Sequence, residues 1–174
     1  MTKQQLAKEI FKISHLTGEF KLRSGIISNE YFDKYQFESN PIIMSEIAIH
    51  IREMLSFKYD ILAGLEVGGI PIATALGLLT TKPMVFVRKK PKEYGTAKFV
   101  EGPDINDKDL LIVEDVVTSG GQIILSAEDL RKKRAKIDKA ICVIDRQQGG
   151  KEALEKIGIK LFPLFTMEEL KANA

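Results

Sequence analysis

The chain has 174 residues, 44% of them hydrophobic and 29% charged, which is the composition of one globular domain with room for a substantial core. The formal net charge of +2 is too small to indicate a nucleic-acid surface, and the single cysteine, Cys142, excludes an internal disulfide and a cysteine-based zinc cluster. The first residues are polar and no apolar stretch approaches the ~20 residues of a membrane helix. We therefore expect a soluble cytoplasmic protein whose partners include neither nucleic acid nor a membrane.

The N-terminal region changes character twice along its length. Residues 5–16 carry apolar side chains at helical spacing, which predicts a first helix. Residues 19–37 mix aromatic and aliphatic side chains with Ser-Gly and Ser-Asn turns, which predicts short strands. A second helix begins at Asn40-Pro41. We expect residues 1–40 to form a helix and a small hood beside a core at residues 41–174, within one domain.

From residue 60 onward, predicted strands alternate with predicted helices. The strands are residues 60–63, 84–88, 110–114, 139–144 and 160–165, and the helices are residues 68–79, 121–133, 151–157 and 167–172. A long irregular segment, residues 89–107, interrupts the alternation. This pattern predicts an α/β fold with a mostly parallel central sheet flanked by helices.

Four segments that follow these strands are unusually polar or rich in glycine. They are residues 64–69, 88–92, 114–121 and 145–150. Ligands of parallel sheets bind outside the carboxyl ends of the strands, so we expect these four segments to form one site.

The segment after the third predicted strand carries the clearest chemistry. Two carboxylates are followed by two valines, two hydroxyl residues and two glycines, in the order Glu114, Asp115, Val116, Val117, Thr118, Ser119, Gly120 and Gly121. A small glycine turn at a helix start presents backbone N–H groups to a phosphate, whereas carboxylates suit sugar hydroxyls or a hard cation. Neither a P-loop nor a dinucleotide-binding motif is present in the sequence. The order predicts a site for a phosphorylated sugar; the alternative is an ordinary helix cap with surface acids.

Residues 112–121 resemble the phosphoribosyl-pyrophosphate (PRPP) signature of the type I phosphoribosyltransferases. Further segments follow the order of the orotate phosphoribosyltransferases and narrow the resemblance to that family: residues 18–25, 31–33, 64–71, 87–96 and 144–150. The resemblance implies the type I phosphoribosyltransferase fold with an N-terminal hood. It also implies transfer of the 5-phosphoribosyl group of PRPP to orotate, which gives orotidine 5′-monophosphate and pyrophosphate in pyrimidine biosynthesis.

The resemblance also implies roles for individual residues. PRPP would be bound by Arg88, Lys89, Lys92, Tyr94, Glu114, Asp115, Val116, Val117, Thr118, Ser119, Gly120, Gly121 and Gln122. Orotate would be bound by Arg23, Tyr31, Phe32, Thr118 and Arg146. Catalysis would depend on Lys89, Lys92 and Asp115. Mg²⁺ would be held mainly through the substrate rather than by protein ligands.

Residues 88–102 form a cationic segment interrupted by proline and glycine. An irregular connection of this kind is usually a lid or a binding loop, and mobile cations can neutralise a departing pyrophosphate. In related enzymes such a loop reaches the neighbouring subunit, so the resemblance implies a homodimer with shared sites. Tyr94 stands where many members have histidine, Val67 where some have lysine, and Arg23 where others have lysine.

Several alternatives remain open at this point. The cationic segment could be a solvated loop, Tyr31 and Phe32 could be ordinary hood core, and His15 and His50 have no partner at ligand spacing. A phosphoribosyltransferase for a purine base would share the PRPP signature. A PRPP-sensing regulator on the same fold would bind PRPP without turning it over.

Overall fold

The computed structural model describes residues 1–21, 25–90 and 99–173 of the protein. The described helices are α1 (Lys3–Ser14), α2 (Tyr35–Glu38), α3 (Pro41–Met54), α4 (Gly69–Thr80), α5 (Gly121–Lys132), α6 (Gly150–Glu155) and α7 (Met167–Ala172). The described strands are β1 (His15–Lys21), β2 (Ile27–Phe32), β3 (Ile61–Leu65), β4 (Met84–Val87), β5 (Val100–Glu101), β6 (Asp109–Val117), β7 (Lys136–Asp145) and β8 (Lys160–Thr166).

Two helix starts are set by side chains that satisfy free backbone N–H groups. The Thr2 hydroxyl accepts from the Gln5 N–H at 3.2 Å, and the Gln5 side chain accepts from the Thr2 N–H at 2.8 Å, so α1 begins with a capping box. The Asn40 side chain accepts from two N–H groups in the first turn of α3, and Pro41 occupies the first helical position. The predicted start of the second helix is therefore confirmed.

β1 and β2 form a separate antiparallel sheet of two strands, the hood sheet, in which His15 pairs with Phe32. The backbone continues from it into the core: the Asp33 N–H donates to the Ser14 carbonyl at 2.8 Å. The first helix ends at Ser14, two residues earlier than predicted, because His15 already belongs to the hood sheet.

The central sheet has six strands in the order β5-β4-β3-β6-β7-β8. All neighbouring pairs are parallel except β4 with β5. Successive β6 residues enter opposite cores: Leu111 packs with α1, α3 and α4, whereas Ile112 packs with α5 and α6. The predicted α/β fold with a mostly parallel sheet covered by helices on both faces is confirmed.

The third core strand was predicted too short. β6 runs three residues beyond Glu114, since Val116 and Val117 stay in register with Ile144 and Asp145 of β7. The two acids therefore lie within a buried strand and not after its end. In addition, β5 lies inside the segment predicted to be irregular.

In the described part of the chain, no helix has the length and apolar character needed to cross a membrane.

Candidate active site

Three turns meet at the carboxyl end of the central sheet. The turn after β3 lies against β6, because a Cβ atom on Gly69 would overlap the Val113 carbonyl oxygen. The turns after β6 and β7 are equally close, since a Cβ on Gly150 would lie 2.5 Å from the Thr118 carbonyl oxygen. Glycine at these positions lets the backbones touch, and three of the four polar segments predicted to converge, residues 64–69, 114–121 and 145–150, are brought together here.

The first cavity at this edge has a volume of about 90 Å³ and is formed by the end of β6 and the start of α5. Its lining residues are Glu114, Val116, Val117, Thr118, Ser119, Gly120, Gly121, Gln122 and Ile123. Gly120 has φ +76°, a left-handed conformation that glycine adopts without strain, and α5 starts at the next residue. The first N–H groups of a helix have no partner within that helix, so this cavity suits an anion such as a phosphate.

The two acids of β6 are both buried, with 8% of Glu114 and 2% of Asp115 exposed. The Asp115 N–H donates to Glu114 Oε1 at 3.0 Å. One Asp115 carboxylate oxygen accepts from the Val116 N–H and the other accepts from the Lys34 ammonium. Glu114 lines the 90 Å³ cavity, whereas Asp115 lies beneath the turn after β3.

Lys34 and Glu38 complete this arrangement, and neither was predicted from the sequence. Lys34 Nζ lies 4.0 Å from Glu38 Oε1, at the i, i+4 spacing that places two side chains on one helical face. Burial, followed by a hydrogen bond with Asp115 and by the charge of Asp115, raises the pKa of Glu38 to about 8. Burial and the charge of Asp115 also hold the pKa of Glu114 well above its ordinary value. The i, i+4 spacing was visible in the sequence, but the partner Asp115 lies 81 residues from Lys34.

A second cavity of about 290 Å³ lies between the hood sheet, the end of β7 and α7. Its lining residues are Phe11, His15, Ser28, Glu30, Tyr31, Phe32, Arg146, Met167 and Lys171. Three of the residues predicted to bind orotate, Tyr31, Phe32 and Arg146, are therefore brought together. The Arg146 N–H donates to the Val117 carbonyl at 2.8 Å, which joins this cavity to the end of β6. Thr118 lines the first cavity instead.

Two hood residues in the second cavity were also missed by the sequence analysis. His15 Nε2 lies 2.8 Å from Glu30 Oε2, and the His15 ring stacks on Phe11 with ring centroids 4.6 Å apart. The hydrogen bond from His15, with the charge of Lys171 next in size, lowers the pKa of Glu30. His15 lies in β1 and Glu30 in β2, so their contact depends on the register of the two hood strands and could not be read from the sequence alone.

The start of the cationic segment is tied to the turn after β3. The Lys89 N–H donates to Glu66 Oε2 at 3.2 Å, while the Lys89 side chain is exposed. Arg88 Nε lies 3.5 Å from Glu101 Oε1 of β5. The remaining predicted site residues Arg23, Lys92 and Tyr94 lie outside the described residues.

Val67 is 54% exposed, and the glycines beside it are buried. The turn after β3 therefore offers backbone rather than a cationic side chain at this position. Across residues 1–21, 25–90 and 99–173, no group of three or more His, Cys, Asp or Glu side chains is arranged to hold a metal ion.

Comparison with known proteins shows which family the chain resembles. The family model of the phosphoribosyl transferase domain matches residues 35–162. An orotate phosphoribosyltransferase of Nocardioides sp. is 43% identical over 167 residues, 96% of this chain and 93% of that protein. An orotate phosphoribosyltransferase of Pyrococcus horikoshii is 45% identical over 156 residues, 88% of this chain and 84% of that protein.

A solved structure extends the agreement to the fold. The crystal structure of orotate phosphoribosyltransferase from Aeropyrum pernix superposes with a TM-score of 0.80 at 27% identity, covering 96% of both chains. The resemblance inferred from the sequence motifs is thus matched along nearly the whole chain. The chain belongs to the orotate phosphoribosyltransferase family.

Proposed function

We propose that the protein transfers the 5-phosphoribosyl group of PRPP to orotate, giving orotidine 5′-monophosphate and pyrophosphate in pyrimidine biosynthesis. One observation supports this most directly: a cavity suited to a phosphate lies at the end of β6, and a cavity containing an arginine and two aromatic residues lies at the end of the neighbouring β7, where the backbone N–H of Arg146 donates to the Val117 carbonyl. Cavities at adjacent strand ends suit a ribose phosphate and an anionic ring bound side by side. The protein acts as one cytoplasmic domain, with residues 1–40 as helix and hood and residues 41–174 as core.

The phosphate cavity holds the ribose 5-phosphate of PRPP. Backbone N–H groups at the start of α5 and the hydroxyls of Thr118 and Ser119 donate to the phosphate oxygens, and Gln122 closes the cavity. Glu114 and Asp115 accept from the ribose hydroxyls. Positive charge develops on the ribose as its bond to pyrophosphate stretches, so alignment and electrostatic stabilisation supply the rate enhancement without a protein nucleophile.

The second cavity holds orotate beside the ribose. The planar guanidinium of Arg146 matches the orotate carboxylate with two parallel hydrogen bonds. Tyr31 and Phe32 cover the ring from the hood, and Arg23 adds charge. Thr118, which lines the first cavity, contacts both substrates.

The cationic segment stabilises the leaving pyrophosphate. Arg88, Lys89, Lys92 and Tyr94 contact the PRPP phosphates, and Lys89 and Lys92 neutralise the charge that builds up as the bond breaks. These residues act in the site of a neighbouring copy, so the working protein is a homodimer with shared sites.

Orotate phosphoribosyltransferases typically use a metal ion. Glu114 and Asp115 are buried, Glu114 accepts from the Asp115 N–H and the Asp115 carboxylate accepts from Lys34, so they do not offer an open carboxylate pair for a metal. Mg²⁺ would therefore be held mainly through the oxygen atoms of PRPP and water rather than by protein ligands, because this ion gives up its water reluctantly. It would supply positive charge to the phosphates, while the residues of this chain bind and orient the sugar and the base.

The decisive experiment is a screen of bases with PRPP and Mg²⁺, in which product formation is followed by chromatography. Orotate is expected to react, and adenine, guanine and hypoxanthine are not. Turnover of a purine without turnover of orotate would contradict the proposal, and tight PRPP binding without turnover of any base would indicate a sensor. A chelator should abolish turnover, and added Mg²⁺ should restore it.

Lys89→Ala tests the cationic segment, with Lys90→Ala as the matched control because the two exposed lysines are neighbours. Only the Lys89 substitution should depress kcat strongly.

Shared sites are tested by mixing the inactive variants Lys89→Ala and Asp115→Asn. Random exchange of subunits should then recover on the order of one quarter of the wild-type rate, because half of the dimers are hybrids with one intact site. No recovery would place Lys89 in its own subunit's site.

A further inference from the structure

Lys34, Glu38 and Asp115 form a buried ionic cluster, which we call the Asp115 cluster, where three segments meet. Lys34 precedes α2, Glu38 ends α2, and Asp115 lies in β6. The turn after β3 covers them: a Cβ on Gly68 would overlap the Asp115 carboxylate and lie 2.8 Å from Glu38 Oε1. The cluster therefore joins the segment after the hood, the turn after β3 and one of the two proposed ribose ligands.

The orientation of Asp115 is fixed before any substrate binds. One of its carboxylate oxygens accepts from the Val116 N–H, and the other accepts from Lys34. Glu38 is in a different situation: its carboxyl group shares a hydrogen bond with Asp115, but its buried Oε1 atom accepts none and lies 4.0 Å from the Lys34 ammonium. A shift of Lys34 Nζ by about one ångström would bring it within ordinary hydrogen-bond distance of Glu38.

The charges of the cluster balance near neutral pH. Burial lowers the pKa of Lys34, but the hydrogen bond and the charge of Asp115 outweigh it, so its pKa lies above the ordinary value and Lys34 is cationic. With a pKa of about 8, Glu38 is mostly protonated at neutral pH. Lys34 therefore neutralises Asp115. The Lys34 side chain is also the most accessible of the three, with 33% of its surface exposed, against 3% for Asp115 and 4% for Glu38.

We propose that Lys34 and Glu38 are positioning residues for the sugar of PRPP: Lys34 holds the Asp115 carboxylate until a ribose hydroxyl replaces the ammonium, and Glu38 then accepts the displaced ammonium. This rests on the proposed function in that it assigns the ribose to Asp115. An ammonium placed on the carboxylate keeps it charged and correctly oriented in the free protein. A second acceptor within an ångström of the required position lets the exchange proceed without leaving a cation unpaired in a buried site.

The test measures binding of the two halves of PRPP by titration calorimetry in the presence of Mg²⁺. Lys34→Met should weaken binding of PRPP and of ribose 5-phosphate by about tenfold or more, because the Asp115 carboxylate loses the ammonium that orients it in the free protein, and should change pyrophosphate affinity by less than about twofold. Lys34→Arg should retain part of the affinity. Glu38→Gln, which keeps an oxygen acceptor, should bind ribose 5-phosphate more tightly than Glu38→Met, which has none. Lys132→Met is the control, because Lys132 pairs with Asp129 at 2.7 Å on the exposed face of α5.

Unchanged or tighter ribose 5-phosphate binding by Lys34→Met would overturn the proposal. So would an equal loss of ribose 5-phosphate and pyrophosphate affinity, which indicates general damage to the site. If Lys34→Met does not fold, Lys34→Arg and the two Glu38 variants decide on the same readouts. In steady-state assays KM for PRPP should rise while KM for orotate stays constant. Because binding of ribose 5-phosphate requires no base, failure of orotate turnover would refute the proposed function and leave this inference standing.

Discussion

Replacing Glu38 by glutamine should stabilise the protein relative to the wild type as the pH rises. Burial and the neighbouring Asp115 charge raise the pKa of Glu38 from 4.5 to about 8 in the folded protein. Between these values the folded state holds a proton that the unfolded chain releases, so unfolding becomes easier with increasing pH. The stabilisation due to Glu38 is complete below pH 4.5, declines across the interval and is gone above about pH 8. Glutamine stays neutral and has no such decline.

The size of the effect follows from the same two values. Their difference corresponds to at most about 5 kcal/mol at ~1.4 kcal/mol for each pH unit. Lys34 Nζ, 4.0 Å from Glu38 Oε1, can move toward the ionised carboxylate and offset part of this cost. We therefore expect the difference in unfolding free energy to move in favour of Glu38→Gln by about 2–3 kcal/mol between pH 5 and pH 9.

The assay is urea unfolding followed by circular dichroism at each pH unit from 5 to 9, for the wild type and for Glu38→Gln. Glu114 also has a raised pKa, but it is present in both proteins and largely cancels in the difference. Glu128→Gln, at an exposed position on α5, is the control and should give a constant difference. If the wild type and Glu38→Gln differ by the same free energy at every pH, Glu38 does not titrate in this range and the charge balance of the Asp115 cluster is wrong.

Three further outcomes are expected. Gly69→Ala should lower the unfolding free energy by about 1–3 kcal/mol in urea titrations, because the added Cβ would overlap the Val113 carbonyl. Gly121→Ala is the control: its Cβ would meet nothing closer than 3.7 Å, so the unfolding free energy should change by less than about 0.5 kcal/mol. Arg146→Lys should raise KM for orotate by about tenfold or more and leave KM for PRPP nearly constant, since an ammonium loses the two parallel bonds to a carboxylate; equal changes in both constants would contradict this. Burial raises the pKa of the Cys142 thiol well above its ordinary value, so a thiol reagent at pH 8 should label it only after unfolding in urea.

The fold could be predicted because its signal is local and repeated. Strands buried on both faces appear as short apolar runs, and the helices between them carry their own start signals, such as Asn40-Pro41. The predicted end of β6 at residue 114 was wrong for a physical reason. An acid pair normally ends a buried strand, but here Glu114 and Asp115 remain inside because Lys34 and a raised pKa remove most of the cost of burying them.

The site divides in the same way between local and distant information. The residues from Thr118 to Gln122 are contiguous, so their shared cavity followed directly from the motif. Arg146 is far in sequence from Tyr31 and Phe32, and their meeting was expected from the family resemblance alone. Lys34 gave no comparable signal, since one lysine in a charged segment is unremarkable until the fold brings it to Asp115.

The Asp115 cluster also relates the sugar to the base. Lys34 follows Phe32 by only two residues, and the intervening Asp33 is anchored by its N–H to the Ser14 carbonyl at 2.8 Å. A ligand that displaces Lys34 from Asp115 therefore acts at a position that the anchored Asp33 separates from the aromatic wall of the second cavity. Because Asp33 is held in place, the shift of Lys34 toward Glu38 is confined to the side chain, and the wall keeps its position while the ribose enters. Lys34 can thus be displaced from Asp115 by the sugar while Tyr31 and Phe32, against which the base is aligned, keep their positions.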